Sequence, residues 1–552
     1  MENGTSVYLR LAPQRVSASL RVVPRWTPNR PPATILSAAN SQITTKTLVI
    51  ATERETHHKV ELRRELTKLE SYATIIGILV GSGIFVVTGK AGAIAGPSVP
   101  LAYLVLAPIV LVTAVAYSVY LSTPLGTKPG GEYTHISRTT GSYYLGFITL
   151  WLKWLSYIGA LVILSTSLAQ YLKFFYPGMD QWFARILPFG EALGRSYTRD
   201  PSFGEAVIAT TALLFFFVFN LLGVKFYGRL QTVMVIVKCL AIVLLVVPGL
   251  FAIDWKNFSP LFPYGFGAAS TPEGDRGFMA VLAPLFFAYA GFESLAQTAG
   301  ETKDSRKSLP MIFINGILIS MVIFVLMSLI AFGVMPYQEL ARSSFAMSDA
   351  AARYLPWWGS AVVTVGALMA FSTCLNATLF VPARILYVFG EERMAPRWFG
   401  SVGERFRTPW VSLVVNAVIA IALLWTKSFG YVLDIAIVGM FIVYGMHSAS
   451  LIALPFMRPE LYEKARVKLH PALLVILGLA SVVSMIYLTV VTLARDIAQH
   501  ASLPPEQRGL TIWQLLLLWM GVGTFFYLFA RWEGRRSGFD YKAQMAQDWI
   551  GD

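Results

Sequence analysis

The chain has 552 residues, 55% of them hydrophobic and only 14% charged, with a mean hydropathy of +0.58. A soluble chain is nearer a quarter charged. Here the apolar residues come in blocks of twenty or more, which excludes a soluble globular class and indicates an all-α, polytopic protein of the lipid bilayer. The net charge of +14 calls for no nucleic-acid partner, because an excess of Lys and Arg on the cytoplasmic loops of a membrane protein accounts for most of it.

Residues 1–60 are different in kind. Between Glu2 and Glu53 lie six basic residues and no acidic one, with prolines at 13, 24, 28, 31 and 32. This composition reads as a disordered basic tail. A transit peptide, or a true start further downstream, gives the same pattern. From Glu61 the stretch LRRELTKLESYATII predicts a short amphipathic helix lying on the membrane face and leading into the first span.

Twelve spans follow, at about 73–94, 98–121, 143–169, 205–222, 230–253, 278–298, 311–335, 358–389, 409–426, 431–456, 471–493 and 511–530. An even number puts both termini on one side of the membrane. Lys and Arg outnumber those of the opposite loops more than two to one on the N-terminal side, which makes both ends cytoplasmic in a plasma (inner) membrane protein. The organisation expected is a tail over 1–60, a core over 61–456, two further helices over 457–532 and a short C-terminal tail over 533–552.

The first span carries Gly-Ser-Gly at its middle, in IIGILVGSGIF (75–85). Glycine is unfavourable inside a helix, and unpaired backbone is tolerated at membrane depth only where it lines a protein cavity. A helix that unwinds at Gly81 and Gly83 offers the N–H groups of Ser82, Gly83 and Ile84 to an anion, and the carbonyls around Leu79 and Val80 to a cation. A single break therefore presents a plus end and a minus end a few ångströms apart, and an α-amino acid has that same pair of charges. Helix packing through Gly77 and Gly81 is the alternative use of these glycines.

The sixth span repeats the feature. It reads LAPLFFAYAGFESLAQTAGETKDSRKSLP, with Ala288-Tyr289-Ala290-Gly291 at its middle and Glu293 just beyond. Interrupted helices at corresponding positions of two five-helix halves point to a midplane site in an inverted-repeat transporter. Glu293 is the one carboxylate inside a long apolar run of the first eight spans. An acid there is a candidate for proton movement, or a structural partner for a buried lysine or hydroxyl. Tyr289 either offers its hydroxyl to the cavity as part of a gate or packs.

Other chemistry finds little support. Cys239 and Cys374 both lie inside apolar spans and read as buried thiols. The six histidines show no metal-ligand spacing, and no HExxH, GxSxG or P-loop pattern appears. Neither a metal, a cofactor nor an enzymatic activity is expected.

GSGIF followed by Ala95-Gly96-Pro97, then PGGEY at 129–133, FFAYAGFE with GETKDSRKSLP, and FSTCLNATLFVPARILYVFGEERMAPRWF together resemble the amino acid–polyamine–organocation (APC) transporter superfamily. The resemblance covers about 61–460 and continues loosely through the last two spans. It implies a five-plus-five inverted repeat with broken helices 1 and 6 and two added helices. It also implies a carboxylate site at Ser82, Gly83 and Ile84, carbonyls of Leu79, Phe287 and Ala290 for the amino group, and an aromatic gate at Phe287. The sequence departs from the family at 390–394, where Gly-Glu-Glu-Arg-Met stands in place of an Arg-Asp-Gly loop.

Lys153 and Lys238 fall within long apolar spans. Lys153 is expected to snorkel toward the interface, the alternative being a cavity-facing cation. Lys238 in VMVIVKCLAIVLLV lies about 12 Å along its span at 1.5 Å per residue, too deep to snorkel comfortably. In sodium-independent relatives, as the resemblance implies, a lysine here stands in for a metal ion. Its expected partners are carbonyls near Gly77 or Ile78 and a hydroxyl such as Ser372, and it is expected to gain and lose a proton during transport. The reading is therefore an amino acid permease, proton-linked or exchange-based and sodium-independent. A polyamine or organocation transporter, and a non-transporting nutrient receptor, are the alternatives.

Overall fold

The computed structural model describes residues 62, 64–179, 182, 202–271, 274–426, 429–504, 508–541 and 543–545. The tail expected over 1–60 lies outside the described residues, as do residues 542 and 546–552 of the C-terminal tail. The principal helices are α1 (Lys68–Leu79), α2 (Thr88–Ala95), α3 (Val99–Ser122), α4 (Glu132–Thr140), α5 (Tyr143–Leu172), α6 (Ser202–Leu221), α7 (Val224–Gly249), α8 (Phe278–Tyr289) and α9 (Ser294–Gln297). They continue as α10 (Ser305–Val334), α11 (Tyr337–Arg342), α12 (Ala346–Ala352), α13 (Trp357–Glu391), α14 (Trp410–Trp425), α15 (Phe429–Met457), α16 (Pro459–Glu463), α17 (Pro471–Ser502) and α18 (Ile512–Arg536).

Among the described residues, ten stretches are helical, long and apolar enough to cross a membrane. The twelve expected spans meet ten such stretches for two reasons. The first two run on as one, Lys68–Ser122, through the tight turn Gly96–Ser98, and α14, with 16 residues, is shorter than the others. The described residues also include a short β-hairpin. Ala269–Thr271 (β1) and Gly274–Arg276 (β2) pair antiparallel between α7 and α8, and Arg495 on α17 forms an ion pair with Asp275 of this hairpin.

The expected amphipathic lead-in helix is corrected. Residues 64–67 are not helical, because Thr67 and Glu70 form a reciprocal capping box that starts α1 at Lys68. Leu66 instead pairs in extended form with the segment after α9: its N–H donates to the Glu301 carbonyl at 3.0 Å, and Lys303 N–H donates to its own carbonyl at 3.0 Å. The start of α1 and the end of the sixth apolar stretch are thereby tied together.

The core around the two interrupted stretches is formed by α1 against α7, α10 and α13, α8 against α2 and α3, and α5 between α13 and α15. Buried amide side chains link three of its helices. Asn376 on α13 donates to Gln231 Oε1 on α7 at 2.8 Å, and Asn220 on α6 donates to Asn376 Oδ1 at 2.9 Å. Trp151 of α5 stacks on Trp519 of α18 at 4.7 Å between centroids, so the last helix packs against the outside of α5.

At 390–394, where the sequence departs from the expected loop, Arg393 takes a positive φ of 55°. The carboxylate of Glu392 accepts from buried Arg138 at 2.6 Å and from the Tyr133 hydroxyl at 3.3 Å. A charge-assisted bond to α4 holds this turn.

A candidate ligand cavity at two helix breaks

Both expected interruptions are present. α1 ends at Leu79, Val80 leaves helical geometry (φ −84°, ψ 84°), and the chain resumes as a wide π-turn over Gly83–Val87 before α2. The first bond of the resumed helix is Phe85 N–H to the Gly81 carbonyl, at 3.3 Å. The N–H groups of Ser82, Gly83 and Ile84 precede it, at a helix start where amides lack intrahelical partners. In the sixth stretch α8 ends at Tyr289, Ala290 is extended (φ −66°, ψ 144°), Gly291 takes φ +105°, and the helix resumes at Ser294.

The two breaks are pressed against each other. A β-carbon on Gly83 would stand 2.3 Å from Cα of Ala288, so glycine is what lets the backbones meet. One side of Gly83 faces a cavity and the other is in backbone contact. Only glycine readily adopts the φ of Gly291, and a β-carbon there would also lie 3.0 Å from the Ile78 side chain.

A small cavity lies at this crossing, lined by Leu79, Ser82, Gly83, Phe287, Ala290, Gly291 and Glu293 from the two breaks. Its other wall comes from α5 (Ser156, Tyr157, Ala160, Leu164), α13 (Cys374, Thr378) and α15 (Ala436, Ile437, Met440). Of the candidates, Leu79, Ser82, Gly83, Phe287 and Ala290 are brought to one space. Ile84 is fully buried and does not line this space. The Leu79 carbonyl accepts from Gly81 N–H at 3.0 Å, and the Phe287 carbonyl from Ala290 N–H at 3.2 Å. Each carbonyl has a second lone pair to offer.

A larger space extends beyond the break along α2 and shares Ser82, Phe287 and Ile437 with the first. Phe287 thus stands on the boundary between the two. Tyr289 does not. Its hydroxyl donates to the Tyr103 carbonyl at 3.0 Å and its ring packs on Tyr103 and Phe324. Two residues along a helix turn a side chain by about 200°, so Tyr289 faces α3 and α10, and its assignment to the gate is withdrawn.

Lys238 is fully buried on α7. Its Nζ donates to the carbonyls of Ile76 (3.1 Å), Gly77 (3.0 Å) and Val80 (2.9 Å) and to Thr373 Oγ1 (3.0 Å). Gly77 is among the expected partners. The Ile78 carbonyl instead accepts from Cys374 Sγ at 3.0 Å. The hydroxyl is Thr373, not Ser372, since one residue along α13 turns the side chain by about 100°. Four oxygens surrounding one cation brace the unwound end of α1 from behind the cavity.

Glu293 is also fully buried. Its carboxylate accepts from Tyr157 (2.7 Å), Tyr444 (2.5 Å) and the Gly291 N–H (3.0 Å). Lys153 does not snorkel: it is fully buried and donates to both oxygens of Glu132, at 2.7 and 2.9 Å. The reason is Glu132 of PGGEY, which the fold of α4 brings under α5. Sequence reasoning did not find this pair, nor the buried Arg384–Glu301 pair at 3.0 Å. The one signal for the former was an acid in the loop preceding a span with a mid-span lysine.

A sequence profile of amino acid permeases matches residues 66–526. The chain is 28% identical over 355 residues to the branched-chain amino acid permease BcaP of Bacillus subtilis (strain 168), covering 64% of this chain and 72% of that one. It is 25% identical to the methylthioribose transporter of the same organism, over 84% and 93% of the two chains. It is 26% identical to the serine/threonine exchanger SteT, also from that organism, over 70% and 82%.

Proposed function

The chain belongs to the amino acid permease family, and from that premise we propose that it carries neutral α-amino acids across the plasma membrane by alternating access. The observation that carries this reading is the cavity at the two breaks. One side offers helix-start amides at Ser82, Gly83 and Ile84, suited to a carboxylate, and the other offers carbonyls at Leu79, Phe287 and Ala290, suited to an ammonium. The remaining wall is apolar apart from Ser156, Thr378, Cys374 and the tyrosine-held Glu293. A polyamine, with several cations, finds a single carboxylate there, and that acid is already bonded three times. This favours the zwitterion.

Counted as two crossings for Lys68–Ser122 and one for Trp410–Trp425, the apolar helices number twelve, and both termini lie in the cytoplasm. The interruptions fall in the first and sixth crossings, the matching members of two oppositely oriented five-helix halves. Phe287 gates the outer space from the cavity. Lys238 occupies the place a metal ion would need, so the cycle is sodium-independent, and Lys238 and Glu293 are the groups that exchange protons with it.

The test is flux of a labelled L-amino acid mixture into proteoliposomes, with and without a pH gradient, and with sodium replaced by choline. Uptake of neutral amino acids that is driven by protons or counter-substrate and indifferent to sodium supports the reading. Sodium-driven uptake, or no flux of any amino acid, overturns it.

A further inference from the structure

Glu132 and Lys153 form an ion pair with no solvent exposure on either side chain. A buried pair is weak evidence for stability, since apolar residues of similar volume often serve as well. What distinguishes this pair is where it lies. Lys153 and Tyr157 are one turn apart on α5, and Glu293 and Gln297 are one turn apart across α9. Two rungs therefore join the helices in parallel. On the cavity side Tyr157 donates to Glu293 at 2.7 Å. One turn deeper, Gln297 Nε2 donates to Glu132 Oε2 at 2.8 Å, and Lys153 and Tyr117 (2.6 Å) hold the same carboxylate on the other side. Gly131 makes room for this: a β-carbon there would stand 2.5 Å from Gln297 Nε2. The Gln297 Oε1 has no partner, so the amide is fixed through this contact.

We infer that Gln297, Glu132 and Lys153 form the inner latch of the carrier: beside the Tyr157–Glu293 rung, the short helix α9 is held shut on α4 and α5 by the Gln297–Glu132 amide–carboxylate bond, and cytoplasmic release requires that bond to part while Lys153 keeps Glu132 neutralised on the stationary side. The inference rests on the permease reading above. Because Leu66 is hydrogen-bonded to the segment after α9, the start of α1 moves with α9, and parting the latch opens a path between both half-helices and α5. The three residues position the gate; none of them lines the cavity.

Cys374 lines the cavity and reports its accessibility. In a Cys239→Ala background, membranes are treated with an impermeant methanethiosulfonate applied to the cytoplasmic face. Gln297→Leu removes only the latch bond and leaves Glu132–Lys153 intact. The double variant Glu132→Leu, Lys153→Leu removes the latch without stranding a charge. Both are expected to raise cytoplasmic labelling of Cys374 at least fivefold and to lower labelling from the outer face, with Gln297→Asn intermediate. Wild-type cytoplasmic labelling rates in both variants, or failure of both to insert, overturn the latch and leave the pair a structural strut. Protection of wild-type Cys374 by a millimolar L-amino acid mixture is scored separately. Its absence counts against the permease site, whatever the variants show.

Discussion

Lys238→Ala is the most informative single change, and its cost can be worked from the four oxygens around the ammonium. After truncation the Ile76 carbonyl still accepts from Val80 N–H at 3.0 Å, and the Gly77 carbonyl still accepts from Thr373 Oγ1 at 2.9 Å. The Val80 carbonyl loses its donor at 2.9 Å. An abandoned buried acceptor costs about 1–3 kcal/mol, which is about 5- to 150-fold in an equilibrium constant. Because Val80 is the residue at which α1 unwinds, the penalty falls on the broken arrangement that forms the cavity. Net uptake into proteoliposomes is expected to fall at least tenfold and to lose its pH dependence, while binding falls less. The thermal midpoint in detergent should drop by a few degrees at most, since most of the surrounding bonds persist. Wild-type uptake with an unaltered pH profile would refute both the brace and the proton role.

Gly83→Ala is expected to abolish transport, because its β-carbon has to push the Ala288 backbone away by about 1 Å, at an overpacking cost of about 1–3 kcal/mol. Adding Ala288→Gly should not rescue it, since Cα of residue 288 is the nearest atom; recovery of flux in the double variant contradicts the backbone crossing. Phe287→Ala merges the inner and outer spaces and should raise KM about tenfold, measured by uptake at graded amino acid concentration, with Phe287→Trp retaining most of the affinity. Deletion of residues 2–55 should leave uptake by correctly inserted protein unchanged, and loss of flux would assign the tail a regulatory role.

How much of this was legible in the sequence depends on whether the signal was local. The breaks at Gly81–Gly83 and at Gly291 were legible because glycine inside an apolar run opposes its own helix. Lys238 was legible because its depth leaves it no route to water. Lys153 was misread for the opposite reason: depth alone could not show that Glu132, 21 residues earlier, folds beneath it. The errors at Ser372 and Tyr289 are errors of angle, one or two residues of helical rotation that only a packed neighbour resolves. Arg384 escaped notice because its partner Glu301 lies on another segment, 83 residues earlier.

In the proposed reading the α-amino and α-carboxyl groups of the substrate meet backbone atoms at the two breaks, which glycine contacts hold together. The rest of the molecule then meets the wall of Ser156, Ala160 and Leu164 on α5, Thr378 on α13 and Ile437 and Met440 on α15. Those positions sit on continuous helices and can change without disturbing either break. Ser156 and Thr378 each supply a hydroxyl in this otherwise apolar wall, and an apolar pocket discriminates only weakly between side chains that differ by a methylene or a hydroxyl. Exchange of Ala160 for a larger residue should therefore shrink the range of side chains carried while leaving glycine and alanine uptake intact. Equal losses across all amino acids would place the side-chain wall elsewhere.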